Sequence, residues 1–199
     1  MRGRPRSFDR DDALKRALMA FWKHGYDATS IALLTESMGI GAPSLYAAFG
    51  DKRALFDEAL DYYAKTYGAF IVDALRDQAD ARGAVERLLR EAAAMFADAS
   101  HPPGCLVISA ATNCAPQSAA VQRRLRSFRA RTVRALEETL ESAKSRGALP
   151  PGVDSHALAL FYSSTLQGMS AQARDGATRE ELEAIASAAL RAWPGGGSR

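Results

Sequence analysis

The sequence predicts an all-α fold, in which an N-terminal three-helix helix-turn-helix domain precedes a longer helical bundle. Three observations indicate this class. Alanine, leucine, glutamate and arginine, all strong helix formers, dominate the chain. Alternating runs of β-branched residues, the pattern of strands, do not occur. Segments with helical apolar spacing are separated by breaks that contain glycine or proline.

Size, charge and cysteine content limit the class of protein. The chain has 199 residues, 47% of them apolar, and can therefore bury a substantial core. Its net charge is only +3, so a basic surface for nucleic acid has to be local. We expect a cytoplasmic protein without a membrane segment, because the chain is charged from Arg2 to Asp12 and has no uninterrupted apolar stretch of about 18 residues. Cys105 and Cys114 should then be reduced.

Residues 29–56 predict two short helices joined by a glycine turn. Thr29 or Ser30 can cap the first helix through a side-chain oxygen, and apolar residues follow at helical spacing. Gly39 should end that helix, because a left-handed turn costs glycine little. Pro43 suits the first turn of the second helix, where its missing N–H costs nothing. The pattern is that of a helix-turn-helix, whose second helix enters the major groove of DNA.

Three spaced motifs lie between Phe21 and Phe56: Phe-x-x-x-Gly-Tyr-x-x-Thr-Ser, Leu-Tyr-x-x-Phe and Lys-x-x-Leu-Phe. Together they resemble the N-terminal domain of the TetR/AcrR transcriptional regulators. The resemblance implies a ligand-responsive, dimeric repressor, in which Tyr46 and Lys52 contact phosphates and the start of the short helix reads bases. The residues predicted here to contact double-stranded DNA are Thr29, Ser30, Gly41, Ala42, Pro43, Ser44, Tyr46, Ala47 and Lys52.

A basic arm, Arg2-Gly3-Arg4-Pro5-Arg6, precedes the first predicted helix. Family members often carry Ser-Lys before the short helix and two histidines inside it. Gly41-Ala42 and Ala47-Ala48 replace these pairs here, which removes side chains that could contact bases. Arginines inserted into a narrow A·T minor groove can supply affinity instead, so Arg2, Arg4 and Arg6 join the predicted DNA-binding residues. A solvated terminus is the alternative.

The rest of the chain should form helices up to a flexible glycine-rich tail. We expect a DNA-binding domain over residues 1–50, a ligand-binding and dimerisation domain over 51–194 and a tail over 195–199. The predicted helices cover residues 52–78, 82–99, 105–114, 117–146, 154–174 and 178–193.

The last two predicted helices carry apolar stripes, which we assign to a homodimer interface. A regulator with one reading helix per chain needs a twofold partner, since the half-sites of a palindromic operator lie about 34 Å apart or a multiple of that. Core packing within one chain is the alternative for the same side chains. The predicted interface residues are Leu158, Phe161, Leu166, Met169, Leu182, Ile185, Ala189, Leu190 and Trp193.

The middle helices should enclose a pocket for a small, largely apolar effector. Sites between bundle helices are mostly apolar and carry a few polar groups. Ordinary core packing is the alternative for each candidate. The predicted effector residues are Tyr67, Phe70, Met95, Phe96, Cys105, Ile108, Ser109, Thr112, Phe128, Thr132, Tyr162 and Thr165, with Tyr63, Asn113 and Gln167 as further candidates.

Cys105 gives a second hypothesis, a repressor that senses oxidants or electrophiles through a thiol. Cys105 opens a predicted helix, where the positive end of the helix dipole can lower a thiol pKa. Some TetR-like regulators do sense electrophiles or oxidants through cysteine. Cys114 could act as a resolving thiol, but nine residues along one helix span about 13 Å, too far for a disulfide without unwinding. A small buried apolar side chain is the alternative.

Two further classes fit the sequence less well. A DNA-binding architectural protein without an effector would need far less chain than the long C-terminal helical region provides. An enzyme would need a Gly-x-Ser-x-Gly elbow, a Gly-rich phosphate loop or a metal-spaced His/Cys cluster, and none of these occurs. We therefore expect no catalytic residue, no metal and no cofactor.

Overall fold

The computed structural model describes residues 8–76, 80–112 and 114–194, without the side chain of Thr112. The predictions for the arginine arm, for Asn113 and for the tail fall outside these ranges. Over the described ranges the protein is helical and has no strand, which confirms the predicted fold class. The helices are α1 (Arg10–His24), α2 (Ile31–Met38), α3 (Ala42–Phe49), α4 (Lys52–Lys65), α5 (Ala69–Arg76), α6 (Ala81–Phe96), α7 (Leu106–Thr112), α8 (Ala119–Ser145), α9 (Ser155–Arg174) and α10 (Arg179–Arg191), with a 3₁₀ turn over Pro116–Ser118.

Helices α2 and α3 form the predicted helix-turn-helix. Ser30 caps α2 by accepting a hydrogen bond from the backbone N–H of Leu33. Gly39 ends the helix in the left-handed conformation with φ 67°. Helix α3 then starts at Ala42 with Pro43 in its first turn, where proline removes no hydrogen bond.

The single helix predicted over residues 52–78 is wrong, because the chain breaks between α4 and α5. The backbone N–H of Gly68 donates to the carbonyl of Tyr63 at 2.9 Å and closes the end of α4. The ring of Tyr67, inside the break, packs at 5.1 Å from the Trp22 ring of α1. Glycine favours an interruption, and the aromatic contact to α1 holds the chain in that turn.

Most other helix ends lie within three residues of the predicted ones. The largest difference is at α6, which ends at Phe96 instead of residue 99. Helix α7 stops at Thr112, and Pro116 opens a separate 3₁₀ turn that leads into α8. Because proline lacks an N–H and restricts the residue before it, α7 and α8 cannot be joined as one helix there.

One buried apolar core joins the two parts of the molecule. Helix α1 packs against α2, α4 and α7, while α8 packs against α9 and α6 against α5, α9 and α10. Helix α4 therefore lies between the helix-turn-helix and the bundle, touching α1, α3 and α7. Across the described ranges, none of the helices has the length and apolar character that crossing a membrane requires.

Candidate DNA-reading head and effector cavity

Helix α3 presents one face to solvent and buries the other. Leu45 and Phe49 lie in the core, whereas 48% of the Tyr46 surface is exposed. The start of the helix is open as well, since Gly41 caps it without a side-chain hydrogen bond. The predicted DNA-binding residues that are exposed or half-buried are Ser30, Gly41, Ala42, Pro43, Ser44, Tyr46, Ala47 and Lys52.

The predicted DNA contact by Thr29 is wrong for its side chain. Thr29 is fully buried, and its hydroxyl donates to the carbonyl of Gly25 at 2.6 Å. The hydroxyl therefore fixes the turn between α1 and α2, and Ser30 takes the exposed capping position instead.

Lys52 lies half-buried at the start of α4. Its Nζ atom stands 4.4 Å from the centre of the Tyr26 ring and 3.5 Å from the carbonyl oxygen of Asp27. Burial lowers the pKa of Lys52, and the charge of Asp27 opposes this shift. The ammonium group is thus held against the α1–α2 turn, close to the reading helix.

Arg10 fixes the far end of the reading helix, a role that the sequence analysis missed. Its guanidinium pairs with both oxygens of Glu58 on α4 and donates to the carbonyl of Ala48 at 3.3 Å. It also lies 4.4 Å from the centre of the Phe49 ring. One arginine of α1 therefore ties α3 to α4, and this pairing raises the pKa of Arg10.

The bundle contains a cavity of about 410 Å³ between α4, α5, α6, α7, α8 and α9. Its wall is mainly apolar, with a few polar and charged side chains. Of the predicted effector residues, those on its wall are Phe70, Phe96, Cys105, Ile108, Phe128 and Thr132, together with the further candidates Tyr63 and Gln167.

Five predicted effector residues lie elsewhere in the described part of the chain. Tyr67 packs on Trp22 and His101. Tyr162 is fully buried against Trp193, and burial raises the pKa of its phenol to about 12. The side chains of Tyr67, Met95, Ser109, Tyr162 and Thr165 therefore do not belong to this cavity wall. Helical spacing does not distinguish a core position from a cavity position.

Cys105 lies on the cavity wall, where it is buried beside Tyr63. Its sulfur accepts a hydrogen bond from the Tyr63 hydroxyl at 3.2 Å. Burial raises the pKa of the Cys105 thiol, and the Tyr63 hydrogen bond and two α7 amides reverse this only in part. Burial thus opposes the lowering of the thiol pKa that the start of a helix can produce, because desolvation disfavours the thiolate.

Asp27 connects the reading head, the domain formed by α1, α2 and α3, directly to the bundle. Its carboxylate accepts one hydrogen bond from the backbone N–H of Ala115 at 2.7 Å and another from the Ser118 hydroxyl. Both donors belong to the turn that joins α7 to α8, two helices of the cavity wall. The sequence analysis missed this contact, which bridges residues about ninety positions apart.

The outer surface of α9 and α10 differs in part from the predicted dimer interface. Met169 and Leu182 are fully buried within the chain, and Leu166 lines the cavity, so these three predictions are wrong. Leu160 and Phe161 instead expose 45% and 41% of their surface. The other predicted interface residues, Leu158, Ile185, Ala189, Leu190 and Trp193, are half-buried or buried.

A helix-turn-helix domain joined to a helical bundle is the architecture of a class of DNA-binding transcriptional regulators. Residues 13–59 match the model of the bacterial regulatory proteins of the TetR family, and residues 81–189 match the tetracyclin repressor-like C-terminal domain. The chain belongs to the TetR family, and it is a DNA-binding transcriptional regulator rather than an enzyme.

Similar proteins cover nearly the whole chain. The HTH-type transcriptional repressor ComR of Escherichia coli is 39% identical over 97% of this chain and 92% of its own length. The HTH-type transcriptional repressor BdcR of the same organism is 33% identical over 94% of this chain and 90% of its own length. A solved structure of the TetR family regulator CifR, in a cysteine-substituted form complexed with operator DNA, is 46% identical with a TM-score of 0.92, covering 96% of this chain and 100% of that one.

Proposed function

We propose that this protein is a dimeric repressor, which a small, largely apolar effector releases from a palindromic operator. The cavity of about 410 Å³ carries this proposal, because its walls include helices that also hold the reading head. Helix α4 contributes Tyr63 to the cavity at one end and Lys52 to the head at the other. The names of ComR and BdcR as repressors, and the CifR complex with operator DNA, support the same function.

DNA binding would use the exposed face and the open start of α3. Tyr46 and Lys52 would contact phosphates on either side of the helix, which sets its register in the major groove. Few side chains at the start of α3 reach base edges, since Gly41, Ala42 and Ala47 are small. The arginine arm at residues 2–6 would add minor-groove contacts and a preference for flanking A·T pairs.

The exposed apolar surface of α9 would form the dimer interface. Leu160 and Phe161 lie beside small exposed positions, Ser164 and Gly168, at one-turn spacing along the helix. A Cβ atom built at Gly168 would meet no atom within 4 Å, so a partner helix could approach the backbone closely there. A twofold contact of this kind would place two reading heads on one operator.

Two contacts would carry the effector signal to the DNA. A ligand that displaces α7 or α8 would act on Asp27 through Ala115 and Ser118. A ligand that moves the cavity end of α4 would tilt Lys52 and the attached α3. Release requires that the effector prefer one spacing of the two heads over the other. The raised pKa of Cys105 favours this non-covalent switch over the thiol-sensing alternative.

Selection of bound duplexes from a random DNA library, at one near-physiological salt concentration, tests the DNA-reading part of the proposal. We expect a palindrome whose half-sites are separated by one helical turn or a multiple of it. If no duplex were enriched more than by a control basic protein, the proposal that this protein recognises a specific DNA sequence would be contradicted. An architectural DNA-binding protein would then be favoured.

Two variants in the same selection separate the contributions of arm and helix. Removal of residues 1–6 should abolish the flanking A·T preference and leave the palindrome unchanged. Tyr46→Ala should weaken binding to every selected duplex by about tenfold, with little change in their ranking, because a phosphate contact carries no base information. Tyr46→Phe, which keeps the ring and loses the hydroxyl, shows how much of that effect is the hydrogen bond.

A further inference from the structure

Arg129 stands out among the residues that line the cavity. It lies on α8, and its guanidinium belongs to the wall. Its Nη1 atom is buried and has no hydrogen-bond partner within the described residues. Those residues also give it no ion pair: the neighbouring Arg124 pairs with Asp61, whereas Arg129 pairs with no carboxylate.

An arginine in this state is energetically unfavourable without a ligand. Burial, followed by the nearby charge of Arg126, lowers the pKa of Arg129, against smaller opposite effects of Cys105 and Cys114. Arginine nevertheless stays charged in proteins at ordinary pH. Arg129 is half-buried as a whole, but its buried Nη1 donor has lost water without gaining a partner, so an anion beside this guanidinium would be favoured.

We propose that the effector is a monoanionic carboxylic acid with an apolar tail, and that Arg129 binds its carboxylate. The planar guanidinium matches a carboxylate through two parallel N–H···O bonds. This inference rests on the proposed effector cavity and adds the chemical class of its ligand.

The other charged residues of the wall favour one negative charge rather than two. Arg76 pairs with Asp73 at 2.9 Å, and Arg131 lies 4.0 Å from the centre of the Phe128 ring, exposed at the rim. Glu138 lies nine residues beyond Arg129, about 13 Å further along α8, and gives the wall a negative charge rather than a second cation for the ligand. A doubly charged phosphate would therefore leave one charge without a dedicated cation.

The remaining wall suits an alkyl or aryl tail. Phe70, Ile71 and Leu75 of α5 face the cavity together with Phe128 and Ala135 of α8. At about 30 Å³ per non-hydrogen atom, the share that a water molecule takes in the liquid, 410 Å³ holds about fourteen such atoms. Decanoate, a carboxylate on a nine-carbon alkyl tail, is therefore a suitable probe.

Calorimetric titration of the whole chain with decanoate and with decan-1-ol tests the inference. The alcohol has the same tail and no charge, so the ratio of the two affinities isolates the carboxylate. We expect decanoate to bind at least tenfold more tightly than the alcohol, the size of one charge-assisted hydrogen-bonded pair. Arg129→Gln should bring this ratio close to one, and Arg129→Lys should restore part of it. Arg123→Gln, the same change at an exposed position of α8, should leave it unchanged.

The outcomes separate this inference from the proposed function. Equal affinities of the unaltered chain for decanoate and decan-1-ol would overturn the proposed preference for a carboxylate and would still fit an apolar effector cavity. Preferential decanoate binding that survives Arg129→Gln would overturn the role of Arg129. If decanoate did not bind at millimolar concentration and decan-1-ol did not bind up to its solubility limit, the proposed amphipathic acid would be overturned. Titration with a small neutral apolar dye, in the presence and absence of operator, then tests the cavity by itself.

Discussion

Replacing Asp27 by alanine should uncouple operator release from occupancy of the cavity. The carboxylate accepts hydrogen bonds from the backbone of Ala115 and the hydroxyl of Ser118, the direct polar contacts between the head and the α7–α8 turn. Losing them removes this link between the head and the bundle, and a coupling free energy between two sites is typically about 1–3 kcal/mol, or roughly 5- to 150-fold in affinity. The ratio of operator affinities without and with the neutral apolar dye 1-naphthylamine, which is small enough for the cavity, should therefore fall toward one.

Two control variants make the Asp27 experiment specific. Asp11→Ala removes the same charge from an exposed position in the first turn of α1 and should leave the coupling unchanged. Asp27→Asn keeps one acceptor oxygen and should give an intermediate coupling. Full coupling in Asp27→Ala would mean that the signal travels through α4 alone, from Tyr63 to Lys52.

Gly104→Ala should destabilise the protein far more than the same change at Gly147. Both glycines have positive φ, 77° and 75°, so alanine costs each about 1–2 kcal/mol of backbone strain. A Cβ atom on Gly104 would lie 2.6 Å from the carbonyl oxygen of Ser170, whereas one on Gly147 would meet nothing within 4 Å. Relieving that overlap should cost a further 1–3 kcal/mol or more, because the obstructing atom is backbone.

Chemical denaturation of the two variants measures the difference in the free energy of unfolding. Gly104→Ala should also weaken ligand binding, since the neighbouring Cys105 lines the cavity and its N–H donates to the Ser170 hydroxyl at 2.8 Å. Equal destabilisation by the two substitutions would show that the loop before α7 can move away from α9, contrary to the close packing described.

Local sequence signals predicted the reading head well. The effects are local: Ser30 caps α2, Gly39 ends it in a left-handed turn, and Pro43 fixes φ in the first turn of α3. Those rules depend on backbone geometry that neighbouring residues determine. The boundaries of α2 and α3 could therefore be read from the sequence.

The cavity and the contact between head and bundle could not be predicted in the same way. Asp27 and Ser118 meet across ninety-one positions, and Arg129 is notable only because the fold buries it without a partner. Tyr162 and Phe128 both have aromatic rings at helical spacing, yet one packs in the core and the other lines the cavity. Which side chains face a space between six helices depends on how those helices are rotated, and apolar periodicity does not determine that.

The break after α4 is marked in the sequence by one glycine. Gly68 interrupts an otherwise helical run, and glycine costs about 1 kcal/mol more than alanine inside a helix. That cost alone does not end a helix. The packing of Tyr67 on Trp22 and His101 adds the tertiary contact that decides it.

The most direct test of the switch is a reciprocal titration of the whole chain with dye and operator. The affinity of the fluorescent dye 1-naphthylamine would be measured for the protein by itself, for the protein with the selected palindrome, and for the protein with a scrambled duplex of equal length. If cavity occupancy and operator binding oppose each other, the palindrome must weaken dye binding by the same factor as the dye weakens operator binding. The scrambled duplex should have little effect. A dye affinity that the palindrome leaves unchanged would contradict the proposal that the cavity controls DNA binding.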